Sequence, residues 1–331
     1  MNKALRADIL LLLTAAIWGF GFVAQRSGME FVGPFTFNGV RFFLGSLFLL
    51  PFIIVRRKRN IKHSRLKALF LPSLAAGSCV FIAVLFQQFG IIFTTAGNAG
   101  FITGLYVVFT PILGIFLGRK TGSATWLGSI LTFTGLYFIS VAGRPSINPG
   151  DIIIIVSAFL WAGHVLLIDR LMNNDVRKVT VDPIELSAGQ FIVCGFFMMI
   201  GAFLLEPHVI PAVMRINPEL LAAGLFEWQP FPALVSAIAA GTTLLSFEML
   251  IPILYGGLCS VGIAYTLQVV AQRNAPPAHA TIILCFEGSF AALGGFLLLS
   301  ERIGHWTLLG FVLMLAGMLS TQWNTYKNAV R

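Results

Sequence analysis

One carboxyl side chain stands out in the sequence because it lies inside a long apolar run. Glu287 is preceded by the apolar residues 282–286 and is followed shortly by the apolar residues 290–293. A carboxylate in such a setting needs a cation, hydrogen-bond donors or water, and otherwise it holds a proton. Two interpretations stay open: Glu287 exchanges protons or contacts a ligand, or it is a protonated or hydrogen-bonded packing residue.

A second unusual charge is Arg41, which lies about two turns into another apolar run. A guanidinium cannot be neutralised, so in an apolar medium it must pair with an anion or reach a wet cavity. A carboxylate on a ligand, or Glu287, is a candidate partner. The alternative is structural: the side chain extends outward along the helix and closes a hydrogen bond there.

Neutral polar and aromatic side chains are scattered through the same apolar runs. Most such residues only hydrogen-bond across helices or pack, so each has a structural alternative to lining a cavity. With the two charged residues they form the candidate ligand pathway: Trp18, Asn38, Arg41, Gln88, Asn98, Tyr106, Trp161, His164, Gln190, Tyr265, Gln268 and Glu287. Gln87 and His279 share this polar character.

Signatures of catalysis and metal binding are missing from the sequence. There is no H-E-x-x-H, G-x-S-x-G or G-x-x-x-x-G-K-[ST] motif, and no two of the five histidines have helical metal-ligand spacing. The four cysteines also lack paired spacing, which favours isolated apolar positions. We therefore predict no catalytic residue, no metal and no cofactor, and a protein that is not an enzyme.

The elements that must position these residues follow from composition. Of 331 residues, 57% are apolar and only 11% are charged, and the mean hydropathy is +0.88. A soluble domain has about 25% charged residues, so a soluble enzyme is excluded. Ten apolar runs are long enough to cross a bilayer as helices. They are residues 8–25, 34–55, 67–92, 96–118, 124–143, 150–169, 184–205, 249–271, 276–299 and 303–324.

Two segments need separate interpretation. The first run lacks an A-x-A cleavage site, so we predict a retained helix rather than a signal peptide. The long connection 206–248 contains five prolines, which break it into pieces such as 219–226 and 233–245. Whether these pieces are interfacial helices or loop stays open.

The distribution of Lys and Arg predicts the orientation. With ten spans, 17 of the 22 basic residues fall on the side of the N-terminus and 4 on the other side, while Arg41 lies within a span. Because basic residues concentrate in cytoplasmic loops, both termini are expected in the cytoplasm of a bacterial inner membrane protein. The net charge of +9 is thus a topology signal, and no nucleic-acid partner is expected.

An internal repeat divides the chain into residues 8–143 and 150–324. Residues 125–128 read TWLG and residues 307–310 read TLLG, and the shared Leu and Gly positions continue to Gly135 and Gly317 at a constant offset of 182. Trp18 and Trp161 lie among small residues early in each half. Five spans per half is an odd number, so the halves must be inverted. The predicted fold is an all-α polytopic membrane protein of ten transmembrane helices in two inverted five-helix repeats.

These residues resemble a known family. The features are AIWGF at 16–20, NGVRF at 38–42, LYVVFTP at 105–111, YTLQ at 265–268 and FE at 286–287. Together with the glycine pattern they resemble the ten-span EamA group of the drug/metabolite transporter superfamily, as two tandem units over nearly the whole chain. Proteins of this kind are reported as exporters or permeases for amino acids, metabolites, drugs and sugar derivatives.

The resemblance implies a secondary carrier that moves a small organic solute by alternating access, with proton coupling as one option. Its partners would be the solute and membrane lipids, and its state a monomer or a homodimer. The alternative is a membrane-embedded enzyme acting on lipid-linked substrates. That activity requires clustered His, Asp or Ser at an interface, a pattern that the sequence does not contain. A structural or sensor subunit without solute flux is the third hypothesis.

Overall fold

A computed structural model of the chain describes residues 3–59, 66–119, 121–140, 149–173, 181–209, 211, 247–299 and 304–330. These residues form helices and no strand. The first half contains α1 (Lys3–Gly28), α2 (Pro34–Lys58), α3 (Leu66–Ile92), α4 (Ala96–Thr103), α5 (Tyr106–Phe116) and α6 (Ser123–Ser140). The second half contains α7 (Pro149–Asn173), α8 (Pro183–Leu204), α9 (Phe247–Leu254), the π-helix π1 (Tyr255–Tyr265), α10 (Thr266–Ala271), α11 (Pro277–Leu284), α12 (Phe286–Leu298) and α13 (His305–Val330).

Eight spans of the described chain are long and apolar enough to cross a membrane. They are α1, α2, α3, α7, α8 and three composite spans, which join α4 to α5, α9 through π1 to α10, and α11 to α12. The fifth and tenth predicted runs form α6 and α13, which are not among the eight. The protein is therefore an all-helical, multi-pass membrane protein. The predicted pieces at 219–226 and 233–245 lie outside the described residues.

The bundle has an apolar exterior, and its largely apolar interior also contains buried polar side chains. Large apolar side chains such as Leu47, Phe70 and Phe116 are exposed, whereas the largest fully buried side chain among the described residues is Arg41. Helices satisfy their own backbone groups, so lipid can contact the apolar faces directly. Polar side chains then concentrate where helices meet one another.

The helix ends fall into two groups, joined by different contacts. At the end where α1 begins and α2 finishes, called here the basic end, ion pairs join Arg56 to Asp182 (2.7 Å) and Arg57 to Glu185 (2.8 Å). Arg119 and Asp169 form a further ion pair there. We call the other end of the helices the opposite end.

At the opposite end, charged side chains bind helix termini. Arg26 donates to the carbonyl oxygens of Ile91, Ile92 and Thr94 at 2.9–3.2 Å, at the carboxyl end of α3. A cation stabilises the carbonyls that a helix leaves unpaired at this end. The two ends of the bundle are thus held together by different means.

The repeated glycines of the two halves pack against each other. A Cβ added to Gly135 of α6 would meet the Gly310 carbonyl oxygen of α13 at 2.6 Å. A Cβ added to Gly317 of α13 would meet the Gly128 carbonyl oxygen of α6 at 2.7 Å. The two helices therefore run antiparallel, and their glycines allow the backbones to touch.

Candidate functional site

A central cavity lies where the two halves of the chain meet. It encloses about 460 Å³ not filled by protein atoms, of which about 30 Å³ admits the centre of a water-sized sphere. That is room for about two water molecules. The lining residues are Trp18, Phe22, Gln25, Arg41, Gln87, Thr103, Tyr106, Trp161, Val165, Ser260, Tyr265, Gln268, Leu284 and Glu287, seven from each half.

Two interrupted spans cross beside this cavity. One is broken between α4 and α5 at Gly104 and Leu105, and the other between α11 and α12 at Cys285. Gly104 and Cys285 have nearly the same backbone angles (φ −57° and −58°, ψ −13° and −17°). The Cys285 thiol donates to the Gly104 carbonyl oxygen at 3.1 Å. The breaks therefore face each other, and each begins a new helical segment next to the cavity.

Small residues let these interrupted spans approach. A Cβ added to Gly100 would meet the Ala291 side chain at 2.8 Å, and one added to Gly288 would meet the Gly100 carbonyl oxygen at 3.3 Å. The two spans therefore pack through close backbone contacts rather than through interdigitated large apolar side chains. The sequence contained the small residues, but it did not reveal the breaks.

An aromatic wall closes one side of the cavity. The ring centroid of Tyr265 lies 4.6 Å from that of Trp18 and 5.8 Å from that of Trp161. The Trp18 indole donates to the Ser260 carbonyl oxygen at 3.2 Å, whereas Trp161 Nε1 has no hydrogen-bond partner among the described residues. The wall is apolar and offers one spare donor.

The π-helix π1 sets the position of Tyr265, its last residue. Two glycines of this π-helix let it pack closely against α2. A Cβ on Gly256 would meet Arg41 at 3.3 Å, and one on Gly257 would meet Leu44 at 2.7 Å. π-helical segments are rare and concentrate at functional sites. The presence of π1 could not be inferred from hydropathy, because hydropathy does not distinguish a π-helix from an α-helix.

Arg41 enters the cavity from α2 and is only 1% exposed. Its Nε donates to Asn38 Oδ1 at 2.8 Å and its Nη2 to Gln25 Oε1 at 3.3 Å. The rings of Phe37 and Phe42 lie 5.5 and 5.3 Å from its guanidinium carbon. The side chain therefore does not extend outward to the surface. Within the described chain it forms no ion pair, so the possible pairing with Glu287 is absent from this conformation.

Glu287 enters the cavity from the first turn of α12 and is 3% exposed. Its Oε1 and the hydroxyl of Tyr106, which lines the same cavity, lie near each other, but among the described residues neither atom has a partner at hydrogen-bonding distance and angle. The site thus combines a fixed cation at Arg41 with a carboxyl group that keeps hydrogen-bonding capacity for a bound species.

A layer of amide and imidazole groups lies behind the lining. His164 Nε2 and Gln190 Oε1 are 3.1 Å apart, and the His164 ring meets that of Trp161 edge-on at 5.6 Å. Gln88 donates to the Gln25 carbonyl oxygen at 3.4 Å. Gln87 reaches the lining itself and donates to Thr103 at 3.1 Å.

The structure brings most of the predicted pathway residues together. Seven of the twelve line the cavity: Trp18, Arg41, Tyr106, Trp161, Tyr265, Gln268 and Glu287. Asn38, Gln88, His164 and Gln190 are buried behind it. Asn98 is half-buried in the first turn of α4, outside the lining. Sequence reasoning missed Gln25, Thr103 and Ser260, although Gln25 meets the same criterion as Gln88, a polar amide within an apolar run.

A polytopic helical bundle with a central, partly polar cavity at the meeting of two halves is the architecture of a membrane transporter. Comparison with known proteins supports this class and makes it specific. The profile of the EamA-like transporter family matches the chain twice, over residues 5–141 and 148–322. The protein belongs to the EamA-like transporter family, as two tandem units.

The chain is also similar to named relatives and to a solved structure. An uncharacterized transporter of Archaeoglobus fulgidus is 29% identical, covering 96% of this chain and 86% of its own. The uncharacterized inner membrane transporter YedA of Escherichia coli is 26% identical over 71% of this chain and 83% of its own. A crystal structure of a protein 15% identical to this one aligns with a TM-score of 0.67 over 97% of this chain and 98% of the other, which shows a shared fold.

Proposed function

We propose that the protein is a secondary transporter of a small organic metabolite, working by alternating access with proton coupling through Glu287. The observation that carries the proposal is the central cavity, which receives seven lining residues from each half and contains both a guanidinium and a carboxyl group. In transporters built from repeats, the substrate site lies between the repeats and beside interrupted helices. The names of the relatives support transport over an enzyme acting on lipid-linked substrates.

Matching positions in the two halves support ten spans arranged as inverted repeats. Five pairs of cavity-lining residues occupy equivalent places, with offsets of 143 in the first spans and 181 in the later ones: Trp18 and Trp161, Phe22 and Val165, Gln87 and Gln268, Thr103 and Leu284, Tyr106 and Glu287. A two-fold relation through the cavity gives such pairs.

The α6–α13 contact supports the same inversion. Adding 182 to Gly135 gives Gly317, and subtracting it from Gly310 gives Gly128, so the contact of Gly135 with Gly310 becomes the contact of Gly317 with Gly128. Reciprocal contacts of this kind are the property of a two-fold axis. In this proposal α6 and α13 are the fifth and tenth spans.

The chemistry of the lining favours a small amphoteric solute, with an amino acid or a drug-like molecule as candidates. The Arg41 guanidinium would bind a carboxylate, Glu287 would face an ammonium group, and the wall of Trp18, Trp161 and Tyr265 would hold an apolar body. In the present conformation the free space is too small for such a solute, so binding requires the helices to move apart.

Glu287 supplies the coupling step. Without a solute, a buried carboxyl group with no ion-pair partner is favoured in its protonated form because burial disfavours the charge. Entry of a cationic group or water favours release of the proton. Alternation between these states moves protons and solute in opposite directions.

Glu287→Gln tests this step, because the amide keeps the shape of the side chain but cannot release a proton. We expect the variant to fold and to exchange solute across vesicle membranes, but to lose uptake driven by an imposed pH gradient. The probes are isotope-labelled amino acids and the cation ethidium. Glu185→Gln is the matched control, since Glu185 pairs with Arg57 at the basic end and should leave gradient-driven uptake unchanged. Undiminished gradient-driven uptake by Glu287→Gln would exclude the coupling role.

The basic end is proposed to face the cytoplasm of a bacterial inner membrane, with both termini inside, as the 17-to-4 distribution of Lys and Arg favours. A reporter enzyme active only in the periplasm, fused after Arg331, should stay inactive. A reporter active only in the cytoplasm, fused at the same place, should be active. The opposite pair of results would contradict the ten-span topology.

A further inference from the structure

A second cavity lies at the basic end, away from the central one. It has a volume of about 380 Å³ and is formed by the first turns of α1 and the turn between α10 and α11. Of the described residues that line it, three are basic and none is acidic: Lys3, Arg6, Ala7, Leu10, Val270, Ala271, Arg273 and Asn274. By the same measure, the space that admits the centre of a water-sized sphere, the central cavity has about 30 Å³, less than a tenth of this volume.

Among the described residues, the cations of this cavity have no carboxylate partner. Elsewhere at the basic end, Arg56, Arg57 and Arg119 each form an ion pair. In the described chain, by contrast, Lys3 and Arg6 form none, and Arg273 only donates to the Val181 carbonyl oxygen at 3.4 Å. All three side chains are exposed, so water and salt screen their mutual repulsion, but an anion that enters between them is attracted by all three charges.

The acidic residue closest in sequence to Lys3 and Arg6 already has a partner. Asp8 is buried, and its Oδ1 lies 2.8 Å from Nε2 of His279 on α11. This pair ties α1 to α11 beneath the cavity without contributing a lining side chain. Among the described residues no carboxylate lines the cavity, which leaves its three cations available to an external anion.

The floor and the surroundings of the cavity select a lipid. Ala7, Leu10, Val270 and Ala271 give it an apolar floor. Lys3, Arg6 and Leu10 follow one another at helical spacing along one stripe of α1, and the next residue of that stripe, Leu13, is 48% exposed on the apolar exterior. A headgroup in the cavity would thus continue into an acyl chain along α1. A free phosphate has no use for this apolar track.

We propose that this cavity binds the phosphate headgroup of an anionic membrane phospholipid. Lys3, Arg6 and Arg273 hold the phosphate, and the lipid tail follows α1 toward Leu13. Basic pockets between helix ends at the membrane surface have the chemistry that such headgroups need. The bound lipid would bridge the first half of the chain, through α1, to the second half, through the α10–α11 turn.

The test measures thermal unfolding of the purified full chain in a neutral detergent. The three probes are dihexanoyl-phosphatidylglycerol, dihexanoyl-phosphatidylcholine and inorganic phosphate. We expect phosphatidylglycerol alone to raise the Tm in a saturable way. Arg6→Gln and Arg273→Gln should each weaken its apparent affinity about fivefold, the effect of about one surface charge. The matched controls are Lys58→Gln and Arg59→Gln, two exposed basic residues of the same end outside the cavity lining, which should leave the affinity unchanged.

Four results would overturn the proposal. Equal stabilisation by inorganic phosphate would show a free-anion site rather than a lipid site. Equal stabilisation by phosphatidylcholine, or equal weakening in the control variants, would show a nonspecific effect of lipid or surface charge. An unchanged affinity in both Arg6→Gln and Arg273→Gln would place the lipid elsewhere. Unfolding without added lipid reports whether each variant is folded before the comparison is made.

Discussion

Helices α2 and α8 pack antiparallel, and each begins with proline, but their N-termini are capped in different ways at the two ends of the molecule. At the basic end, Asp182 precedes α8 and accepts hydrogen bonds from the amides of Ile184 (3.0 Å) and Glu185 (3.3 Å). Arg56, from the last turn of α2, reaches across and pairs with Asp182 at 2.7 Å. The carboxylate thus comes from the helix it caps.

At the opposite end, the equivalent position before α2 is Gly33, which has no capping side chain. The carboxylate comes instead from Glu206, just past the end of α8. It accepts from the amides of Phe35 (2.9 Å) and Thr36 (3.1 Å) and from the Thr36 hydroxyl. A Cβ on Gly33 would overlap the Glu206 carboxylate, so glycine provides the room that this arrangement needs.

The two caps show how the same antiparallel packing of α2 and α8 is stabilised at a basic end and at an end with few basic residues. Both helix N-termini need an acceptor for their unpaired amides. The basic end, where Lys and Arg accumulate, adds an arginine to a cap supplied by the same helix. At the opposite end, Arg26 is the one Lys or Arg among the described residues. There the partial positive charge of the α2 N-terminus stabilises the carboxylate of the neighbouring helix.

The largest expected effect is that of Glu206→Ala. It leaves two buried amides and a hydroxyl without their acceptor, which should lower the free energy of unfolding by about 3 kcal/mol. Asp182→Ala should cost only about 1–2 kcal/mol, the value of a helix cap and a half-exposed ion pair. The measurement is a dodecyl sulfate titration in mixed micelles.

Glu206→Gln is the control for that measurement, because it keeps an acceptor oxygen but loses the charge. We expect it to fall between the parent and Glu206→Ala. Equal losses for Glu206→Ala and Asp182→Ala would mean that the two caps do not differ in strength, contrary to the burial of Glu206.

A smaller effect should come from moving the cap back to its own helix. Gly33→Asp in the Glu206→Ala background should recover about 1 kcal/mol, because the new side chain occupies the position that Asp182 has before α8. In the parent background the same substitution should destabilise, since it crowds the Glu206 carboxylate with a second negative charge. If Gly33→Asp had the same effect in both backgrounds, an aspartate at position 33 would not replace the cap that Glu206 provides.

The smallest effect concerns Glu30, in the turn between α1 and α2 at the opposite end. Partial burial raises the pKa of its carboxyl group above 4.5, Arg26 opposes that rise, and Glu248 adds to it. A raised pKa in the folded state means that ionised Glu30 costs stability at neutral pH, and that this cost disappears as the pH falls through the raised pKa. Glu30→Gln should raise stability at pH 7 by less than about 0.5 kcal/mol. Its Tm should converge with that of the parent near pH 4, and a difference that persists there would contradict this account.

Much of the architecture followed from the sequence alone. The predicted run 34–55 became α2 at 34–58, and 150–169 became α7 at 149–173. These elements are predictable because about 20 apolar residues in a bilayer have almost no alternative to a helix that pairs its own backbone. The same constraint singled out Arg41 and Glu287, since a charged side chain in an apolar run needs a protein partner or access to water.

What the tertiary structure decided is which helix faces meet. Hydropathy is blind to the breaks at Gly104 and Cys285 and to the π-helix that places Tyr265, because these depend on which backbones can approach. It also gave no reason for Arg41 to bond to Gln25 rather than to Glu287. The helical spans and the uneven distribution of charge were predictable from the sequence because local composition and length set them, and the family followed from its residue motifs. The cavity and the trans cap of Glu206 on α2 arise only when distant helices pack, since their geometry depends on contacts that no single segment contains.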